Sequence, residues 1–220
     1  MQERKWQIFG GVAGVLFAIS LVVGIVPGGV PPTFGSSLSV VVNYFTGHQA
    51  GLHATFLVGN VLPTVLGALF SATLFYGLWR AEPFARFGAV IGLVGAATIG
   101  AFAAALSIVW TILVYDASQL GNSVVAALYD GTVEAGAASI FIEGLVAFGF
   151  GASMTRLLAP WRQIGVVGVV VGLISFAVGI VMFAADFKTG ALPLLGFAAF
   201  VLWTLVVGAV LATRGLPTTP

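Results

Sequence analysis

Apolar residues fill six long runs of this chain, and polar residues are largely confined to the gaps between them. The runs extend from about Ile8 to Val26, Leu52 to Trp79, Phe87 to Val114, Val133 to Leu158, Ile164 to Ala185 and Ala191 to Ala212. Each is close to or above the roughly 20 residues that a helix needs to cross the hydrocarbon of a bilayer. The gaps read as turns: Pro27-Gly28-Gly29 closes the first run, and Arg80 to Arg86, with Pro83 inside it, joins the second to the third. The pattern predicts an all-α integral membrane bundle of six transmembrane helices, a single domain over 1–214. Residues 215–220 carry two prolines and two threonines and no apolar face, which predicts a disordered tail.

Two connections are longer than a turn requires. Between Pro27 and Gly51 the run Leu38 to Phe45 is too short to span and predicts an interfacial helix. Between Asp116 and Glu134 the run Ser123 to Asp130 extends the fourth helix, with a break expected at Gly131. Both segments are expected to cap the outer face.

Charge then orients the bundle. If all six runs span, Arg4, Lys5, Arg80, Arg86, Arg156, Arg162 and Arg214 fall on one side and only Lys188 on the other. Cytoplasmic loops retain Lys and Arg, so both termini are expected to be cytoplasmic in a multi-pass protein of the plasma membrane. Trp6, Trp79 and Trp161 lie beside the basic gaps and Tyr115 and Tyr129 beside the opposite ends, where amphipathic rings favour the headgroup zone. The basic start of the first run is that of a signal peptide, but its apolar core is too long and no Ala-x-Ala site follows. It is expected to be retained as a helix.

Composition removes several classes of function. A chain of 220 residues that is 60% hydrophobic and 7% charged lies outside the range of soluble domains, where about a quarter of residues are charged. A net charge of +1 leaves no basic footprint for nucleic acid, so the expected partners are the lipid bilayer and a small-molecule or lipid ligand. There is no cysteine, hence no thiolate nucleophile or thiolate metal site. No phosphate loop, dinucleotide fingerprint or nucleophile elbow occurs, and no cofactor is expected.

One residue inside a run demands an explanation. Glu143 lies about ten residues into the fourth run among apolar and small neighbours, where a carboxylate costs about 3 kcal/mol. Its face, Gly136, Ser139, Ala147 and Gly151, is built of small residues, which directs it into the bundle. In the second run His53, Asn60, Thr64, Gly67 and Ser71 form a comparable stripe, and in the third Ser107 reaches a similar depth. Glu143, Asn60, Ser107 and Thr64 are therefore the candidate polar site, with Glu143 binding a proton or a cation or, alternatively, serving as interhelical glue. His53, Tyr129 and Asp130 are outer-face candidates. His48 and His53 have no recognised ligand spacing, HExxH is absent, and no metal site is expected. Gly10-x₃-Gly14, Gly88-x₃-Gly92 and Gly168-x₃-Gly172 predict close helix contacts within the bundle.

The run Ala126 to Asp130, the helix after it with its exit at Arg156, the Trp161-Arg162 entry and the closing Leu202-Trp203-Thr204-Leu205 resemble a bacterial family of multi-pass membrane proteins, domain of unknown function 4386. The resemblance implies six membrane helices and makes Tyr129 and Asp130 part of the family's shared pattern. It brings no activity with it. Two functions follow from the residues: binding or passing a small solute, proton or lipid through the polar site, or noncatalytic action through partner or lipid contacts around Tyr44 and Tyr129. An enzyme ranks third, because no paired acid and base share a face.

Overall fold

The computed structural model describes residues 2–29, 31–32, 35–185 and 192–217. Its helices are α1 (Gln2–Val23), α2 (Leu38–Gly47), α3 (Gln49–Phe56), α4 (Leu62–Ala81), α5 (Arg86–Asp116), α6 (Asn122–Met154), α7 (Trp161–Ala184) and α8 (Leu192–Thr213). A π turn, Leu57–Val61, joins α3 to α4 without a break, so Gln49–Ala81 is one of six helices long and apolar enough to cross a membrane. The chain is an all-α, multi-pass membrane bundle.

The spanning helices close into a ring in chain order: each packs on the next, and α8 returns to pack on α1. Small residues make this ring tight. A Cβ on Gly88 would meet the Gly149 carbonyl, and one on Gly92 the Phe150 ring, which joins α5 to α6. Gly151 and Gly165 join α6 to α7 in the same way, Gly208 faces Gly11 between α8 and α1, and Gly24 lies on Gly59 beside the π turn. The three Gly-x₃-Gly pairs are thus spent inside the molecule: Gly10 and Gly14 meet Thr73 and Phe70, and Gly168 and Gly172 meet Trp203 and Phe148.

The two ends of the ring differ. Towards the termini the interior is solid, filled by Leu74, Leu78, Phe150, Met154, Trp203, Val207 and Leu211. Arg4 closes this end by donating to the carbonyls of Leu211, Ala212 and Thr213 at 3.0, 2.8 and 2.7 Å, which caps the exposed C-terminal turn of α8 with a cation. Gly215 and Leu216, the first residues of the expected tail, are held against the bundle instead. Gly215 turns the chain at φ +74°, and its carbonyl accepts from Trp161 Nε1 at 2.9 Å. Leu216 donates to Gln7 Oε1 at 3.2 Å and seats on Gly77. One apolar side chain sufficed, because Gly77 leaves a slot for it. Residues 218–220 lie outside the described residues, as do Asp186 and Lys188.

At the opposite end α5 and α6, with 31 and 33 residues, extend to about 46 and 50 Å, well beyond a hydrocarbon core of about 30 Å. The amphipathic α2 lies against their projecting ends and against α3, burying Val41, Tyr44 and Phe45 with Leu52, Leu113, Val125 and Tyr129. α6 begins at Asn122 and runs through Gly131 without the expected break. Gly131 is exposed, so its missing side chain leaves no packing defect at which the helix would bend.

Candidate functional site

Between the solid end and the cap the ring does not fill its centre. A cavity of about 710 Å³ lies there, walled by the spanning helices of the ring. Phe70, Val146 and Phe200 floor it, and Ile25 and Leu194, 51% and 63% exposed, stand at its rim. Its wall is mostly apolar, with Asn60, Thr64, Ser71, Ser139, Glu143 and Thr204 as the polar groups.

Glu143 comes from the middle of α6, the helix that packs on both α5 and α7. It is 6% exposed, and its Oε2 has no hydrogen-bond partner among the described residues. The neighbouring Gly144 abuts the Gly172 carbonyl and Ser175, which fixes α6 against α7 and leaves Glu143 to the cavity side. Gly136 on α6 and Gly100 on α5 also open onto the cavity: a Cβ at either position would meet nothing within 4 Å.

Asn60 stands in the π turn. Pro63 follows it, has no N–H to donate and in a regular helix would press its ring on the Gly59 carbonyl, so the wider turn relieves the clash. The Leu62 N–H reaches back to the Leu57 carbonyl, and Thr64 Oγ1 donates to the Asn60 carbonyl at 2.7 Å. A local irregularity of this type places Asn60, Pro63 and Thr64 together on the cavity wall.

Glu143, Asn60 and Thr64 therefore line one cavity, whereas Ser107 does not. The wall contributed by α5 ends at Leu106, and Ser107 donates to the Ala103 carbonyl of its own helix at 2.8 Å. Thr204 takes its place from α8: it is 1% exposed, and its Oγ1 has no partner among the described residues. Trp203 beside it donates from Nε1 to the Ile164 carbonyl at 3.1 Å, which locks the rotation of α8 and turns Thr204 inward. The only sequence signal for Thr204 is its polarity within an otherwise apolar run.

The outer-face candidates sit in the cap, away from the cavity wall. Tyr129 is buried against Phe45 and donates its hydroxyl to the Pro32 carbonyl, tying the α1–α2 connection to α6. His53 stacks on Tyr115 with ring centroids 4.4 Å apart, and its Nε2 is buried without a partner among the described residues. Asp130 is half-buried next to Tyr129. Burial pushes the Tyr44 hydroxyl up from its ordinary value. Among the described residues no three His, Asp or Glu side chains converge as a metal would need.

No family model matches this chain, and neither does any curated protein or solved structure.

Proposed function

We propose that this membrane protein binds a small amphiphilic molecule in the cavity of its bundle, with Glu143 as the polar anchor. The observation that carries the reading is a half-filled ring: about 710 Å³ of mostly apolar space, with a buried carboxyl in its wall whose Oε2 has no protein partner among the described residues. Ligand sites in general have this composition, about 300–1,000 Å³ of apolar wall with few polar groups. A binding role is favoured over passage, because Leu74, Leu78, Phe150, Trp203 and Val207 pack the path towards the termini. Action through contacts at Tyr44 and Tyr129 has less support, since both rings are committed to the interior of the cap. We place the protein in the plasma membrane with its termini cytoplasmic, on the strength of seven of eight basic residues falling at one end.

Binding of decanol to the protein in zwitterionic lipid nanodiscs tests this, with empty discs subtracted. The expected result is saturable binding near one molecule per chain, weakened at least about tenfold, or about 1.4 kcal/mol, by Gly136→Leu, whose Cβ would meet nothing within 4 Å and whose branch would take up cavity space. Absence of saturable binding by decanol and by its charged analogues of equal chain length, or binding indifferent to both Gly136→Leu and Gly100→Leu, would remove the cavity from consideration.

A further inference from the structure

The hydrogen-bonding chemistry of the cavity wall selects a head group. Thr64 and Ser139 have already spent their hydroxyl protons, on the Asn60 carbonyl at 2.7 Å and the Gly136 carbonyl at 2.7 Å, so what their oxygens still offer a ligand is lone pairs. Glu143 adds a carboxyl group whose Oε2 is buried and unpartnered, in a residue 6% exposed. Among the described residues of the wall there is no Lys, Arg or His to satisfy it. The wall thus carries one acid without a counter-charge, beside Asn60, Ser71 and Thr204, whose side chains can donate as well as accept. An anionic head would lie beside this acid with no basic side chain of the described wall to hold it, and an alcohol brings a single donor and no charge. An ammonium brings three donors, no acceptor and the missing positive charge.

From this acid without a counter-charge in an apolar cavity we infer that the ligand is an apolar molecule ending in a protonated amine, seated with its ammonium against Glu143 and its tail along the apolar wall. The inference rests on the cavity-binding reading and adds the class of ligand to it. No covalent step is involved. Access from the bilayer suits such a molecule, because the rim residues Ile25 and Leu194 are apolar and exposed.

Three probes of equal chain length separate the possibilities: decylamine, decanol and decanoate, measured by equilibrium binding to the protein in zwitterionic nanodiscs with empty discs subtracted. Decylamine is expected to bind about tenfold or more tighter than decanol, with decanoate weakest. Glu143→Gln keeps the side-chain shape and removes the charge, and is expected to reduce decylamine to the affinity of decanol while moving decanol by about twofold or less. Decanol binding with no preference for decylamine, or a preference for decylamine that survives Glu143→Gln, overturns the head-group assignment and leaves the cavity standing. Saturable binding of none of the three overturns the cavity reading itself. The ranking of the probes on the parent protein decides the matter even if a variant fails to fold.

Discussion

Glu143 weakens the fold that contains it. A buried polar atom without a partner costs about 1–3 kcal/mol, and no hydrogen bond within the bundle offsets it at Oε2. Glu143→Leu is therefore expected to raise folding stability by about 1 kcal/mol, read as a higher melting temperature in detergent, and Glu143→Gln to change it little. A melting temperature lowered by Leu would mean that the carboxyl has an interhelical partner after all and acts as glue. The acid was legible in the sequence, because a lone charge in an apolar run stands out and its small-residue face points inward. Its surroundings were legible only in part. Counting residues from the helix ends sets Ser107 level with Glu143, but Gly92 and Gly95 of α5 pack on Phe150 and Val146 of α6, which puts Ser107 about two turns beyond Glu143, where the cavity wall has ended at Leu106. Thr204 was silent because a hydroxyl in an apolar helix ordinarily bonds its own backbone, as Thr98 and Thr111 do here.

Glycines decide how the helices approach, and they do so in two opposite ways. Gly92 holds α5 against the Phe150 ring of α6, whereas Gly100 and Gly136 front empty space. Gly92→Leu is expected to cost about 1–3 kcal/mol through overpacking, seen as a lower folded yield in detergent. Gly136→Leu should fold as well as the parent or slightly better, since leucine favours a helix over glycine by several tenths of a kcal/mol. Equal damage from both substitutions would mean that the cavity is closed in solution. From sequence the two kinds of glycine look alike: spacing reveals a small-residue stripe, but which part of it meets a neighbour depends on how far the helices diverge above the contact. The end of α8 teaches the same lesson. Leu216 is a single apolar residue between Gly215 and Pro217, too little pattern to predict burial, yet it is 5% exposed in the slot at Gly77. Leu216→Ala should destabilise by about 2 kcal/mol, measured by thermal unfolding, where a free tail would give no change.

At the scale of the whole molecule, a ring of helices in chain order is an arrangement that short connections easily allow; the six apolar runs made the spanning helices readable in advance, but not the ring. The cavity was not readable, since it arises from the difference between a packed end, clasped by Arg4 and Trp161, and an end where α2 and the tips of α5 and α6 cap the ring from one side. Orientation is a separate matter that labelling settles. Single cysteines at Ser37 and Gln119 are expected to react with an impermeant reagent added outside intact cells, and cysteines at Phe84 and Leu158 only after permeabilisation. Reaction at Phe84 from outside would invert the molecule.

The central claim is that the bundle keeps an occupied or occupiable space beside Glu143. A density map of the protein in lipid nanodiscs, resolved well enough to see side chains, tests it most directly. The account predicts α5 and α8 standing apart at the level of Gly100 and Phe197, with non-protein density in the space between them reaching Glu143. Helices collapsed onto one another there, with the Glu143 carboxyl bonded to a neighbouring side chain and no room beside it, would contradict the account.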